Sequence, residues 1–215
     1  MNDILALILT GGGPPPQKLS NRYIKRAEKV VAADSGFDQA LKLSYMPDLV
    51  VGDMDSVVHT AELKDFPPER KKIWPREKDE TDTELALRLL WQEGFREIAV
   101  LGGGGGRLDH TIGILSLFER EIHPTVWLTD REMVVLVEDS FSIRTCIGEI
   151  VSVFPVGGQA AGLRSEGLKW SLNGLTWTRG DMGVSNETVA EEIFLEVKKG
   201  KILVILELRG DRMHV

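Results

Sequence analysis

Short apolar runs and helical stripes alternate along the first 130 or so residues. The run Ile4–Leu9 predicts a buried strand, and Gly11-Gly12-Gly13-Pro14-Pro15-Pro16 ends it. A polar segment over about 19–26 has helical potential. Val30-Val31-Ala32-Ala33 predicts a second strand, leading to Asp34. Phe37, Ala40, Leu41 and Leu43 then lie on one helical stripe. Leu49-Val50-Val51 predicts a strand ending at Gly52-Asp53, and Lys71–Trp74 an edge strand. Thr81-x-x-Glu84 has the spacing of a capping box, and the pairs Leu85/Leu89 and Ala86/Leu90 follow at i, i+4 until Gly94. Ile98–Leu101 predicts a strand, followed by the loop Gly102–Gly106 and a helix over about 111–120. Val126-Trp127-Leu128 closes the series. Continuous apolar strands alternating with helices imply a mainly parallel sheet covered on both faces, in an α/β domain over 1–130.

The pattern changes at about residue 131. Strands are predicted over 133–137, 141–145, 150–154, 193–197 and 202–207, with turn signals at Glu138-Asp139, Gly157-Gly158 and Lys199-Gly200-Lys201. This implies a smaller all-β, sandwich-like domain over 131–215.

Composition narrows the function. Lys plus Arg number 26 and Asp plus Glu 33, a net charge of −7, which argues against general nucleic-acid binding. The single cysteine, Cys146, permits no intramolecular disulfide and fits a reducing compartment. Its neighbours suggest a strand, so a small buried residue is expected rather than a nucleophile. The apolar runs are too short to span a bilayer, which takes about 20 residues, so a cytoplasmic protein without membrane contact is expected.

Five aspartates fall where strands give way to loops or helices: Asp34, Asp53, Asp55, Asp82 and Asp109. In an extended chain Asp53 and Asp55 project to the same side and can approach one cation. Asp82 follows Thr81 at a helix start, where free N–H groups attract anions but a carboxylate is also an ordinary dipole partner. Lys78 stands just upstream. The glycines at 102–106 let backbone amides approach an anion, and Arg107 adds a fork of donors. His110 reads as a polar helix-start residue. Carboxylates and glycine loops at one sheet edge suggest Mg²⁺ on a polyphosphate.

The ordered set Ala33-Asp34-Ser35-Gly36, 47–56 (PDLVVGDMDS), 78–84 (KDETDTE) and 105–111 (GGRLDHT) resembles thiamine pyrophosphokinases. Two stretches of the second domain, 167–172 (GLKWSL) and 183–187 (GVSNE), resemble that family's C-terminal signatures. The resemblance implies pyrophosphate transfer from ATP, as cosubstrate with Mg²⁺, to the hydroxyl of thiamine, releasing AMP. It implies a homodimer with active sites at the subunit interface. It makes Asp53, Asp55, Asp109 and Arg107 catalytic, with Asp53, Asp55 and Asp109 on the metal. Asp34, Lys78, Thr81, Asp82, Gly105 and Gly106 then serve the nucleotide, and Trp170, Ser185 and Asn186 the thiamine. Ile114 stands where the family usually has asparagine, and the loop Gly11–Pro16 is richer in glycine and proline than the family's. The alternatives are another Mg²⁺-dependent nucleotide phosphohydrolase and a non-catalytic thiamine-responsive binding protein.

Overall fold

The computed structural model describes residues 5–210. The chain divides between Arg131 and Glu132 into two compact units. In the first, β1 (Leu5–Leu9), α1 (Gln17–Arg26), β2 (Lys29–Ala33), α2 (Gly36–Lys42), β3 (Leu49–Gly52), α3 (Thr60–Asp65), β4 (Lys71–Ile73), α4 (Asp82–Gln92), β5 (Glu97–Leu101), α5 (Leu108–Leu117) and β6 (Val126–Leu128) follow in order. Its strands lie in the order β6-β5-β1-β2-β3-β4, and the pairs between neighbours are parallel. All five residues of β1 are buried, as a central strand covered on both faces requires. Burying each such leucine or isoleucine stabilises the fold by about 1.5–3 kcal/mol. Ile4, expected in the same strand, lies outside the described residues.

The strand order creates a switch point. From β1 the chain steps outward through β2, β3 and β4, then crosses to the other side of β1 with β5 and β6. Crevices outside the carboxyl ends of strands at such a point are where α/β sheets take ligands. Both glycine loops lie there, after β1 and after β5, and they are joined. Gly13 N–H donates to Gly104 O at 2.5 Å and Gly103 N–H to Gly11 O at 2.6 Å. Side chains would prevent this approach: a Cβ on Gly102 would meet Thr10 O at 2.5 Å.

The second unit is antiparallel. β9 (Ile150–Ala161) lies between β11 (Thr176–Trp177) and β14 (Lys199–Glu207), β14 also pairs with β7 (Glu132–Val137), and β12 (Gly183–Glu187) joins β9. A three-stranded sheet holds β10 (Arg164–Glu166), β13 (Glu192–Glu196) and β8 (Ser140–Arg144). Buried residues alternate with more exposed ones along β8 and β13, the mark of strands with one face on a core.

Three expectations need correction. The signal at Gly157-Gly158 is not a turn between strands. β9 continues through it to Ala161, and the β9–β14 register shifts there, so the glycines mark an irregularity inside one strand. Helix α5 begins at Leu108, not near 111, which puts Asp109 and His110 in its first turn. Cys146 is exposed in the loop after β8, not buried in a strand. Strand β8 ends at Arg144, and the Cys146 N–H instead donates to the Glu149 carboxylate while its carbonyl accepts the Thr188 hydroxyl.

Candidate active site

Asp34 ends β2 in a left-handed conformation, φ 47°. Its N–H donates to Val51 O, and its carbonyl accepts the Phe37 N–H that starts α2. Asp53 follows β3, and its Oδ1 accepts the Asp55 N–H at 3.1 Å, closing an Asx-type turn. Asp82 opens α4, whose N-cap is Thr81; the Thr81 hydroxyl accepts the Glu84 N–H at 3.2 Å. The Glu84 carboxylate pairs with Arg120.

Carboxylate oxygens of Asp34, Asp53 and Asp82 lie within 4.8 Å of one another. Gly52 makes this possible. Its φ is 136°, and a Cβ there would stand 2.8 Å from the Asp82 carboxyl carbon. A side chain at position 52 would push Asp82 out of the cluster. Lys78 is the internal counter-charge, with Nζ 3.4 Å from Asp53 and 3.2 Å from Asp82. Asp82 Oδ1 is buried and meets Lys78 as an ion pair, without a hydrogen bond.

Asp53, Asp82 and Lys78 are displaced in different ways. Burial opposes ionisation of Asp53, but the Asp55 N–H and the charges of Lys78 and Arg76 outweigh it and hold its pKa below the usual range. At Asp82 burial dominates. Lys78 lowers its pKa, the charges of Asp53 and Asp34 raise it, and the net displacement is upward. Burial disfavours the charged form of Lys78, yet Asp82 and Asp53 more than compensate and raise its pKa.

A cleft of about 620 Å³ opens beside this cluster, lined among others by Gly11, Asp34, Asp82, Gly106, Arg107 and Asp109. Arg107 and Asp109 face it as a bidentate pair, Nε to Oδ1 at 3.1 Å and Nη2 to Oδ2 at 2.5 Å, and both are exposed. The Arg107 bond is the main influence holding the Asp109 carboxyl below its ordinary range. Asp55 is not gathered with the three: its carboxylate meets the Ser56 hydroxyl at 2.8 Å and Arg76 at 3.3 Å. Gly105, at φ 62°, forms the outer turn of the loop beside Asp130. Ile114 is buried on the cleft wall, where its Cδ1 fills the space that a Cβ on Gly103 would need.

In the second unit Trp170 is 55% exposed, with Lys169 Nζ 4.9 Å from its ring centre. Asn186 is buried and clamps the Trp170 backbone. Its Oδ1 accepts the Trp170 N–H at 3.1 Å and its Nδ2 donates to Trp170 O at 2.6 Å. Ser185 has φ 58°, and its N–H bonds the Ser152 hydroxyl at 3.1 Å.

Sequence reasoning passed over Thr10 and Thr83. Both line the cleft, and their hydroxyls meet at 3.1 Å. The available signal was position, since Thr10 directly follows a strand and Thr83 is the second residue of a helix.

A parallel α/β unit with joined glycine loops at its switch point, and carboxylates gathered at its strand ends, has the make-up of a nucleotide-dependent phosphoryl-transfer enzyme. Residues 20–128 match the family model of the thiamin pyrophosphokinase catalytic domain, and residues 140–202 that of the thiamin pyrophosphokinase vitamin B1 binding domain. The chain therefore belongs to the thiamin pyrophosphokinase family, a family of enzymes. Thiamin pyrophosphokinase 1 of Caenorhabditis elegans is 27% identical over 210 residues, 88% of this chain and 85% of that protein. The crystal structure of thiamin pyrophosphokinase from Geobacillus thermodenitrificans superposes with a TM-score of 0.74 at 25% identity, covering 96% of this chain and 98% of that one. Thiamine pyrophosphokinase from Bacillus subtilis shares the fold, with a TM-score of 0.78 at 22% identity over 94% of this chain and 98% of that one.

Proposed function

We propose that this chain transfers the terminal pyrophosphoryl group of ATP to the hydroxyl of thiamine, giving thiamine diphosphate and AMP. One observation carries the site assignment: Asp34, Asp53 and Asp82 converge beside a cleft whose other wall carries the glycine loop and Arg107. Three half-buried carboxylates, one with an oxygen lacking a hydrogen bond, are a donor set that suits Mg²⁺. Asp53 with Asp34 and Asp82 would hold the ion, and Asp55 and Asp109 are the further candidates. When bound, the ion neutralises phosphate charge and fixes the polyphosphate.

The chain's own residues do the rest. The glycine loops after β1 and β5 offer backbone N–H groups to phosphate oxygens, and Gly105 and Gly106 keep the second loop free of side chains. Arg107 supplies donors for the charge spread over the phosphoryl oxygens. Lys78 balances carboxylate charge next to the phosphates, and the N-terminus of α4, capped by Thr81, adds its dipole. The thiamine hydroxyl oxygen bonds to the β-phosphorus as the bond from that phosphorus to the α–β bridging oxygen breaks. The hydroxyl proton passes to Asp55 or Asp109, and AMP leaves. The exposed Trp170 ring stacks on the thiazolium cation, worth ~0.5–2 kcal/mol. Asn186 holds Trp170 in place, and Ser185 lies in the same strand.

The resemblance also supports a homodimer with the active site at the subunit interface. Leu108, Ile112 and Leu115 form an exposed apolar stripe on α5 that fits a second copy. Among the described residues no helix is long and apolar enough to cross a membrane. Nothing favours the phosphohydrolase or the non-catalytic reading.

The test is to incubate the protein with Mg²⁺, ATP and thiamine and separate the products. Thiamine diphosphate and AMP in equal amounts are expected. ADP in place of AMP, or nucleotide cleavage independent of thiamine, overturns the assignment.

A further inference from the structure

We infer that Asp38, outside every motif named above, is a positioning residue that sets the separation of the Asp34 and Asp53 carboxylates. The inference rests on the reading of those carboxylates as the cation site. Asp38 is buried in the first turn of α2, four residues past Asp34 in the chain. Both of its oxygens are used by the segment that follows Asp53. Oδ2 accepts the Val58 N–H at 2.9 Å. Oδ1 accepts the His59 N–H at 2.9 Å and lies 2.7 Å from His59 Nδ1.

The loop from Asp53 is therefore held at both ends. At its start, β3 pairs with β4, and Gly52 O accepts the Trp74 N–H at 3.0 Å. At its far end Val57 is buried against Ala32, Phe37 and Val50, and Asp38 bonds the next two residues. Between these anchors the loop meets Asp34 through a long bond, Ser56 N–H to Asp34 Oδ1 at 3.4 Å.

This anchoring has work to do. Asp34 and Asp53 carry like charges, Lys78 pairs with Asp53 on one side of them, and repulsion drives the two segments apart. Both segments also hold non-glycine residues at positive φ, Asp34 at 47° and Met54 at 64°. Such conformations persist only where the surroundings over-determine them. Asp38 joins the segment behind Asp34 to the segment behind Met54, so it supplies that constraint.

Asp38→Asn is nearly isosteric but replaces one acceptor with an N–H that faces another donor. The experiment compares the wild-type chain, Asp38→Asn and His59→Ala. It measures Mn²⁺ binding by calorimetry in the presence of a non-hydrolysable ATP analogue, together with turnover, thiamine KM and thermal melting. Asp38→Asn is expected to weaken Mn²⁺ binding and lower kcat roughly 10- to 100-fold, with thiamine KM within about twofold. His59→Ala, which keeps both backbone bonds, is expected to shift Mn²⁺ binding in the same direction by about threefold. A lower melting temperature with Mn²⁺ affinity and kcat unchanged overturns the inference. If Asp38→Asn does not fold, unchanged Mn²⁺ affinity in His59→Ala overturns it. Wild-type protein that makes no thiamine diphosphate sinks the proposed function instead, and leaves the Mn²⁺ comparison to stand or fall separately.

Discussion

Two acidic loops serve the candidate site and are built in opposite ways. The Gly52–Ser56 loop is half-buried, tied to three other segments, and delivers Asp53 to within 4.8 Å of Asp34 and Asp82 oxygens. On the other side Gly105–Asp109 are exposed, and the one carboxylate there is neutralised by Arg107, two residues away. The first loop is preorganised before any ligand arrives, and the fold bears the cost of crowding like charges. On the second, Arg107 and Asp109 satisfy each other in solvent and must part before either meets a substrate. The difference teaches which residues set cation affinity and which respond to the phosphate chain.

The largest expected effect is on the preorganised side. Asp53→Asn should lower kcat/KM on the order of 10³-fold with little change in fold, measured by initial rates and circular dichroism. A loss below about tenfold would remove Asp53 from the centre of the comparison. On the other side, Arg107→Ala should lower kcat/KM roughly 10²-fold, mainly through ATP, and leave the melting temperature essentially unchanged because the pair is exposed. A large drop in melting temperature would show that this side is structural too.

Asp82 sharpens the contrast through stability. Its folded pKa is raised, by burial first, so its ionisation opposes folding wherever pH exceeds that pKa. In metal-free buffer at neutral pH, Asp82→Asn should melt higher than the wild type by roughly 2–4 °C, the shift of about 1 kcal/mol in a chain this size. The difference should shrink as pH falls through the folded pKa and be gone below about 4, near the unfolded value, and the variant should lose turnover. Equal or lower melting at neutral pH would contradict the crowded-charge account.

At Asp38 the sign is opposite. Burial pushes its pKa up, but the N–H groups of Val58 and His59 and the His59 ring together bring it below the ordinary value. Its contribution is therefore present above the unfolded pKa and is lost as pH falls through the folded one. Asp38→Asn should cost about 1–3 kcal/mol at neutral pH and less below about pH 4, read from denaturant titrations across pH. A deficit independent of pH would break this reading.

The parallel unit was legible because its signals are local: apolar runs for β1, β2, β3 and β5, and glycine or proline where each ends. The irregularities were not legible. Gly157 and Gly158 look like a turn in sequence, yet pairing with β14 carries the strand through them. Ser185 likewise reads as a turn residue, and its positive φ sits inside β12 at an irregularity of the pairing with β9. The five aspartates were visible as a set, but not which of them meet. Asp82 reaches Asp53 because Gly52 lacks a Cβ, a relation between residues thirty apart in the chain that no local pattern encodes. Asp38 was hidden for the same reason, since an acidic residue in a short helix ordinarily faces solvent.

The most direct test of the contrast is a crystal structure with Mn²⁺, a non-hydrolysable ATP analogue and thiamine, with the metal placed by anomalous scattering. The predicted result is a Mn²⁺ peak bound to Asp53 and to at least one of Asp34 and Asp82, with Arg107 turned from Asp109 to the phosphates. A metal held by none of those three aspartates, with the Arg107–Asp109 pair intact, would contradict it.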